Sequence, residues 1–152
     1  MRLLRIGLVG ILLVANATAI NEFTIQHYKP HVRRLQGVVV DPAGAPIPLA
    51  QVTVFDDPEV WSDESLNFEQ KRERQKTIAE TRADDEGRFS VKKLPKGSYE
   101  VEFSRGGFNT LSVIVQIDPS ERSEKYCVHL SVSDGPGGEP SFHSCTKEQL
   151  KR

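Results

Sequence analysis

The chain contains two cysteines, Cys127 and Cys145. Because there are only two, the chemistry open to them is more restricted than that of the other residue types. An exported chain with two cysteines is best interpreted as carrying one disulfide. The ring would contain about 19 residues, which corresponds to roughly 3 kcal/mol of stabilisation in the chain-entropy model. Unpaired thiols are the alternative. A catalytic thiol needs a base, and strand alternation gives no reason for His129 or His143, each two residues from a cysteine, to form a dyad.

The remaining histidines do not form a metal-ligand motif. His27 and His31 are spaced by four residues, but Pro30 between them disrupts the helix that would place both on one face. The chain also lacks the GxSxG sequence of hydrolases and the HExxH pair of zinc peptidases. We therefore predict no catalytic residue, no metal site and no cofactor.

Two clusters of acidic residues raise the question of calcium binding, because carboxylates are hard oxygen ligands. One cluster lies within 56–64 and the other is Asp84-Asp85-Glu86. Neither follows the alternating pattern of a calcium loop, and the second precedes Gly87, where a turn is predicted. We interpret both clusters as ordinary surface acids, with calcium binding as the weaker alternative.

The N-terminal residues have the three parts of an export signal. Arg2 and Arg5 are basic, 6–14 is an apolar run, and Ala17 and Ala19 supply the small residues of a cleavage site. The run is too short for a permanent transmembrane helix, and a retained N-terminal anchor is the alternative. We predict a signal peptide at 1–19, a secreted or periplasmic location, and no membrane span after cleavage.

Cleavage after Ala19 would leave 133 residues, which is the size of one ordinary domain. These residues include 18 basic and 21 acidic side chains, so their formal charge is −3. This balance gives no electrostatic reason to expect nucleic acid or an anionic membrane as a partner.

Apolar and polar residues alternate in about seven segments between 35 and 133, and turn signals separate these segments. The clearest examples place Val52 and Val54 on one face of a strand and Glu100 and Glu102 on the polar face of another. Ile114 is an exception, because it falls on the predicted polar face of its strand. About seven such strands predict an all-β fold, a seven-stranded antiparallel sandwich.

The last of these strands predicts where the disulfide lies. Its inward face is formed by alternate apolar residues, namely Tyr126, Val128, Leu130 and Val132. Cys127 then faces outward, so a bond to Cys145 would hold the tail against the outer face or the edge of a sheet. We divide the mature chain into a leader at 20–34 with a short strand at 23–25, a sandwich at 35–133 and a tail at 134–152.

A charged insertion at 56–76 separates two of the predicted strands. Its large apolar residues are Trp61, Leu66 and Phe68. The sequence Asp57-Pro58-Glu59 is typical of a helix start, and one amphipathic helix would place Trp61, Phe68 and Arg72 on the same face. An insertion of this length is either functional or a solvated loop, so Trp61, Leu66 and Phe68 are candidate partner-binding residues.

The order of turns and strands also carries a family resemblance. It is seen in Gly37 to Asp41, in Ala43 to Phe55, in Thr81 to Phe89, and in Leu94 to Val101 followed by Arg105 to Phe108. From Leu35 to Ile117 the chain resembles the carboxypeptidase regulatory-like domain, a relative of the transthyretin-type sandwiches. The resemblance implies a Greek-key sandwich of the transthyretin or immunoglobulin type, and a role in folding, positioning or binding.

Some relatives of this sandwich are enzymes, and the sequence does not match their sites. Intradiol dioxygenases hold iron with two tyrosines and two histidines, but no Tyr-x-His-x-His run occurs here, and Tyr99 and Tyr126 fall on the predicted core face. Hydroxyisourate hydrolases end in Tyr-Arg-Gly-Ser, which this chain lacks. The leading hypothesis is an exported, non-catalytic module that binds an envelope or extracellular protein or glycan. An unrecognised enzyme and a disulfide-stabilised structural or inhibitor-like protein are the alternatives.

Overall fold

The structure is a computed structural model, and it describes residues 23–26, 29–133, 135 and 138–149. The predicted signal peptide lies outside these residues. Ten strands occur in the described part of the chain: β1 (Phe23–Gln26), β2 (His31–Val32), β3 (Gln36–Val40), β4 (Gln51–Phe55), β5 (Thr77–Arg82), β6 (Arg88–Ser90), β7 (Gly97–Ser104), β8 (Thr110–Ile117), β9 (Tyr126–His129) and β10 (Ser141–Ser144). A 3₁₀ helix (Pro58–Ser62) and the helix α1 (Phe68–Arg74) lie between β4 and β5.

The strands form two sheets. The first sheet, called sheet A, has the order β1-β8-β7-β4-β5, and β2 also pairs with β8. The second, sheet B, has the order β10-β9-β3-β6. The seven strands predicted between 35 and 133 correspond to β3 through β9, so the predicted sandwich is confirmed. Most pairs are antiparallel, but β3 pairs with β9 in parallel, as β1 and β2 do with β8.

The core lies between the sheets and follows the two-residue period of the strands. Val52, Val54 and Phe103 of sheet A are fully buried, and they face Val39 and Val128 of sheet B. Burial of an apolar side chain of this size contributes about 1.5–3 kcal/mol. The alternation in the sequence therefore identified the core face of both sheets.

Val132 is the exception among the predicted core residues. Tyr126, Val128 and Leu130 are buried as predicted, whereas 42% of Val132 is exposed. The chain has left the sheet before this position, and Val132 forms only an isolated bridge with Phe108 at the end of the sandwich. The prediction was wrong there because the period of two applies only while the strand continues.

Two glycines allow close approaches between backbones. A Cβ at Gly37 would lie 1.9 Å from the carbonyl oxygen of Tyr126, on the neighbouring strand β9. Gly87 has a φ of 70°, and a Cβ there would lie 2.5 Å from the carbonyl oxygen of Val39. Side chains at these positions would separate β3 from β9 and the β5–β6 turn from β3.

The leader and the tail extend the two sheets beyond the predicted sandwich. β1 and β2 run along β8 and cover that edge of sheet A. At the other side of the sandwich β10 pairs with β9, and Phe142 enters the core and stacks on Tyr126 with 4.7 Å between ring centroids. The disulfide between Cys127 and Cys145 is confirmed, and it fixes the tail along a sheet edge.

No helix among the described residues is both long enough and apolar enough to cross a membrane.

Candidate functional site

The insertion contains two short helices, where its sequence had left open either one amphipathic helix or a solvated loop. The 3₁₀ helix does begin after Asp57, but the backbone of Asp57 is left-handed and its side chain forms no capping bond. Asp63 then accepts hydrogen bonds from the backbone and hydroxyl of Ser65, which turns the chain. α1 starts afresh at Asn67, whose side chain forms a capping box with Gln70. These local bonds separate the two helices, so the insertion is not one continuous helix.

Glu100 lies beneath the insertion and is fully buried. It stands in the middle of β7 on the outer face of sheet A, between Phe55 and Ile114 of the neighbouring strands. A buried carboxylate is very costly unless it is paired and hydrogen-bonded. The insertion supplies most of the groups that compensate this cost.

Five hydrogen bonds saturate the Glu100 carboxylate. Trp61 Nε1 donates at 2.5 Å, Gln75 Nε2 at 2.7 Å and Ser112 Oγ at 2.5 Å. Arg72 donates twice, at 3.1 Å and 3.3 Å, one bond to each carboxylate oxygen. We call these five residues the Glu100 network. Three of its members belong to the insertion, so the network is the main polar attachment of the insertion to the sheet.

Arg72 also connects the network to its surroundings. Its guanidinium donates to Glu102 at 2.9 Å and lies over the ring of Phe55, 4.1 Å from the centroid. Burial raises the pKa of Glu102, Arg72 opposes this rise and Glu100 adds to it. Both carboxylates therefore depend on a single arginine. A lysine in its place could reproduce neither the planar fork of its donors nor its stacking on the ring.

Three aromatic rings, Phe23, Trp61 and Phe68, form what we call the aromatic patch above the network. Their centroids are 5.0–5.7 Å apart in each of the three pairs. Trp61 is partly buried, whereas 49% of Phe68 is exposed. Leu66 is also partly buried, in the turn that precedes α1. The candidate residues Trp61 and Phe68 thus meet in one cluster, and Phe68 presents the larger exposed fraction.

Sequence reasoning missed the Glu100 network but contained a signal for it. Glu100 was placed on the outer face correctly, and Ile114 was the apolar exception on the same face. Ile114 and Phe55 are both buried there, because the insertion covers this part of the sheet. An apolar residue on a face predicted to be polar could therefore have indicated that another segment packs over it.

The acidic clusters considered for calcium are engaged in local structure. Asp56 accepts from the backbone of Lys76 at 2.6 Å, and Asp84 accepts from the backbone of Glu86 and Arg88. These bonds from Arg88 lower the pKa of Asp84. Among the residues that the structure describes, no three His, Cys, Asp or Glu side chains form a group that could hold a metal ion.

Comparisons with known proteins identify distant likenesses to solved structures and one matching family. None of the curated proteins matches the chain. Among solved structures, 5-hydroxyisourate hydrolase of Klebsiella pneumoniae is 16% identical, with a TM-score of 0.47 over 76% of this chain and 100% of the hydrolase. Sea bream transthyretin in complex with thyroxine is 17% identical, with a TM-score of 0.44 over 73% of this chain and 92% of the transthyretin. Likenesses this distant carry no argument about activity.

A family model gives the stronger result. The model described as the carboxypeptidase regulatory-like domain matches residues 34–130, which is more than half of the chain. Its range contains β3 through β9 together with the insertion. The chain therefore belongs to the family of carboxypeptidase regulatory-like domains.

Proposed function

We propose that this protein is an exported, non-catalytic module that binds a protein partner through the aromatic patch. The observation that carries the proposal is the position of Phe68, half-exposed on a patch whose other rings are fixed against the sheet. Export is supported by the signal-like N-terminal sequence together with the disulfide.

The Glu100 network prepares the patch for binding. Trp61 is held by its bond to Glu100, and Phe68 packs against Trp61 and Phe23. Rings that are already ordered lose little conformational freedom when a partner binds. A few aromatic anchors commonly dominate the free energy of a protein interface. A partner residue that covered Phe68 would therefore gain apolar burial at a low entropic cost.

Charged side chains surround the patch, as is usual at the rim of an interface. Lys29 and Glu59 form an ion pair at 3.0 Å, and both are at least half-exposed. Lys71 lies over the Trp61 ring, 5.7 Å from its centroid, and donates to the Trp61 carbonyl. Apolar rings within a charged rim suit a protein segment that places an apolar side chain between polar ones.

A glycan fits the patch less well. Sugars stack on a broad exposed aromatic face, but Trp61 stacks on Phe23 at an interplanar angle of 28°, and its N–H is occupied by Glu100. An enzymatic role for the network is also disfavoured, because its carboxylate is fully buried and already accepts five hydrogen bonds. The geometry favours a protein partner over both alternatives.

Capture of the native partner by a Phe68→Ala variant tests the proposal. The full chain, expressed with its signal, is cross-linked in its native envelope, and the partner is identified with the unchanged protein. Phe68→Ala should reduce the affinity for that partner about tenfold or more. Its melting temperature should remain close to that of the unchanged protein, because Phe68 is half-exposed.

Ile78→Ala provides the matched control, because Ile78 is 45% exposed but lies on β5, outside the patch. Ile78→Ala should bind normally. Equal affinity of the two variants for the partner would place the interface elsewhere, and recovery of a glycan instead of a protein would also contradict the proposal.

A further inference from the structure

Four basic side chains meet at one end of the sandwich, where β3 begins and β6 ends. These two strands are antiparallel, and just beyond their ladder the N–H of Val91 donates to the carbonyl of Leu35 at 2.9 Å. Arg33-Arg34 directly precedes Leu35, and Lys92-Lys93 directly follows Val91. The strand pairing therefore brings together two basic pairs that are far apart in the sequence. We call these four residues the basic cluster.

The basic cluster is an arrangement of like charges on the surface. All four side chains are exposed, and they line one shallow depression. Within the part of the chain that the structure describes, none of the four forms an ion pair. Like charges that face each other across paired strands are destabilising. Folding thus concentrates positive charge, and a bound polyanion would relieve the repulsion.

An acidic residue next to the cluster is already engaged. The N–H of Asp118 donates to the carbonyl of Val32, which holds Asp118 at this end of the sandwich. Its carboxylate accepts from Lys96 at 3.0 Å and from the backbone and hydroxyl of Ser120 at 3.0 and 2.8 Å. The charge of −3 for the mature chain gave no reason to expect an anionic membrane as a partner, because a sum does not show where the charges lie.

We propose that the basic cluster docks the protein onto a bilayer surface that carries anionic phospholipid headgroups. The depression measures about 10 Å³, whereas pockets that enclose small molecules usually measure about 300–1,000 Å³. A single small anion would therefore remain in contact with solvent, where each ion pair contributes little. A leaflet of anionic headgroups instead attracts all four charges at once.

The surroundings of the cluster favour lipid over other polyanions. Bases of nucleic acids are commonly bound by stacking on aromatic side chains, and sugars stack on aromatic faces in the same way. The apolar part of this lining is aliphatic and consists of Leu35, Leu94 and Ile117. Recognition by charge alone is what an array of headgroups requires.

The cluster is separate from the aromatic patch. Phe23 of the patch pairs with Thr110 at the start of β8, whereas Ile117 beside the cluster is the last residue of that strand. A protein partner on the patch and a membrane at the cluster can therefore be bound together. The docking surface does not rest on the proposed function.

Co-sedimentation with vesicles tests the docking surface. The purified protein should bind vesicles of equal parts phosphatidylglycerol and phosphatidylcholine more tightly than vesicles of phosphatidylcholine alone, and added salt should remove this preference. Each Lys or Arg near an anionic leaflet strengthens binding about fivefold. Arg33→Gln/Arg34→Gln and Lys92→Gln/Lys93→Gln should therefore each weaken binding to the anionic vesicles about 25-fold.

Arg82→Gln/Arg105→Gln is the matched control. It removes the same charge from two exposed arginines at the opposite end of the sandwich, at the end of β5 and just after β7. It should weaken binding far less, because charges beyond the Debye length are screened. Any binding by the N-terminal residues is common to all variants and cancels in the comparison. Thermal melts should show that all variants are folded, since every changed side chain is exposed.

Three results would overturn the proposal. The first is equal binding of the unchanged protein to anionic and neutral vesicles. The second is a loss for the control variant as large as the loss for the two cluster variants. The third is tighter binding to duplex DNA or to heparin than to the anionic vesicles, which would assign the cluster to a different polyanion.

Discussion

The two sheets of this sandwich hold their added segments in different ways. On sheet A the insertion is attached by the Glu100 network, in which one buried carboxylate accepts from four side chains. On sheet B the tail is attached by the disulfide between Cys127 and Cys145 and by the pairing of β10 with β9. The first attachment is made by side-chain hydrogen bonds and an ion pair, whereas the second combines a covalent bond, backbone pairing and the burial of Phe142.

This difference predicts how the stability of each sheet responds when its attachment is removed. Removal of the acceptor at the centre of a buried network leaves several donors without their partner, so the loss exceeds the value of one bond. Removal of a disulfide returns freedom to the unfolded chain but leaves no unpaired polar group in the folded one. The sheet A face should therefore be the more fragile of the two, although it contains no covalent link.

Glu100→Ala is expected to have the largest effect. It leaves Arg72, Trp61 and Gln75 without their shared acceptor and should cost about 3–5 kcal/mol of unfolding free energy. Because Trp61 is the only tryptophan of the chain, its fluorescence should shift towards that of solvated indole as the insertion detaches. Urea unfolding followed by fluorescence measures both quantities.

Glu80→Ala serves as the control, because Glu80 is an exposed glutamate on β5. It should change the unfolding free energy by less than about 0.5 kcal/mol. A loss for Glu100→Ala no larger than that for Glu80→Ala would show that the network does not hold the insertion.

Replacement of both cysteines by alanine, which adds no hydroxyl at the buried Cys127 position, should have an intermediate effect. The Cys127→Ala/Cys145→Ala variant should lose about 2–4 kcal/mol, and the fold should persist because Phe142 remains in the core. Tryptophan fluorescence of its folded state should match that of the unchanged protein, since the insertion lies on the other sheet. A change in the Trp61 environment would mean that the two faces are coupled.

Alternation and turn signals were sufficient to predict the sandwich, because the strands from β3 to β9 other than β5 bury residues in a common core. In β5 only the partly buried Ala79 packs against that core. The disulfide also followed from the sequence, since only two cysteines were present. Val132 was misplaced because alternation does not reveal where a strand ends. The pairing of β3 with β9 in parallel is a long-range choice, for which a local pattern contains no signal.

The site was less predictable because its residues are far apart in the sequence. Trp61 and Phe68 were identified by size and composition alone, but their fixed position depends on Glu100, which is 39 residues from Trp61. His129 and His143 stack with 5.2 Å between their ring centroids. This contact depends on the register between β9 and β10, which the sequence does not give. Local patterns predict which residues share a face but not which faces meet.

The smallest expected effect is on the pH dependence of stability, which should have opposite signs on the two sheets. On sheet A, burial raises the folded pKa of Glu102 above its ordinary value of 4.5, against the opposing charge of Arg72. This contribution to stability is fully present below pH 4.5 and is lost as pH rises through the folded pKa. On sheet B, burial and His129 lower the folded pKa of His143 below 6.5, so its contribution is present above pH 6.5 and is lost as pH falls through the folded pKa.

Glu102→Gln and His143→Gln should therefore diverge in opposite directions from the unchanged protein. Relative to it, Glu102→Gln should gain stability as pH rises from about 4.5 to 7.5, and His143→Gln should gain stability as pH falls below about 6.5. Both changes should stay below about 1 kcal/mol, because the two side chains are partly open to solvent and their interactions are screened. Urea unfolding at several pH values measures them. If the two variants instead changed in the same direction with pH, the opposite signs would be contradicted, and with them the view that each sheet owes its pH response to its own titratable groups.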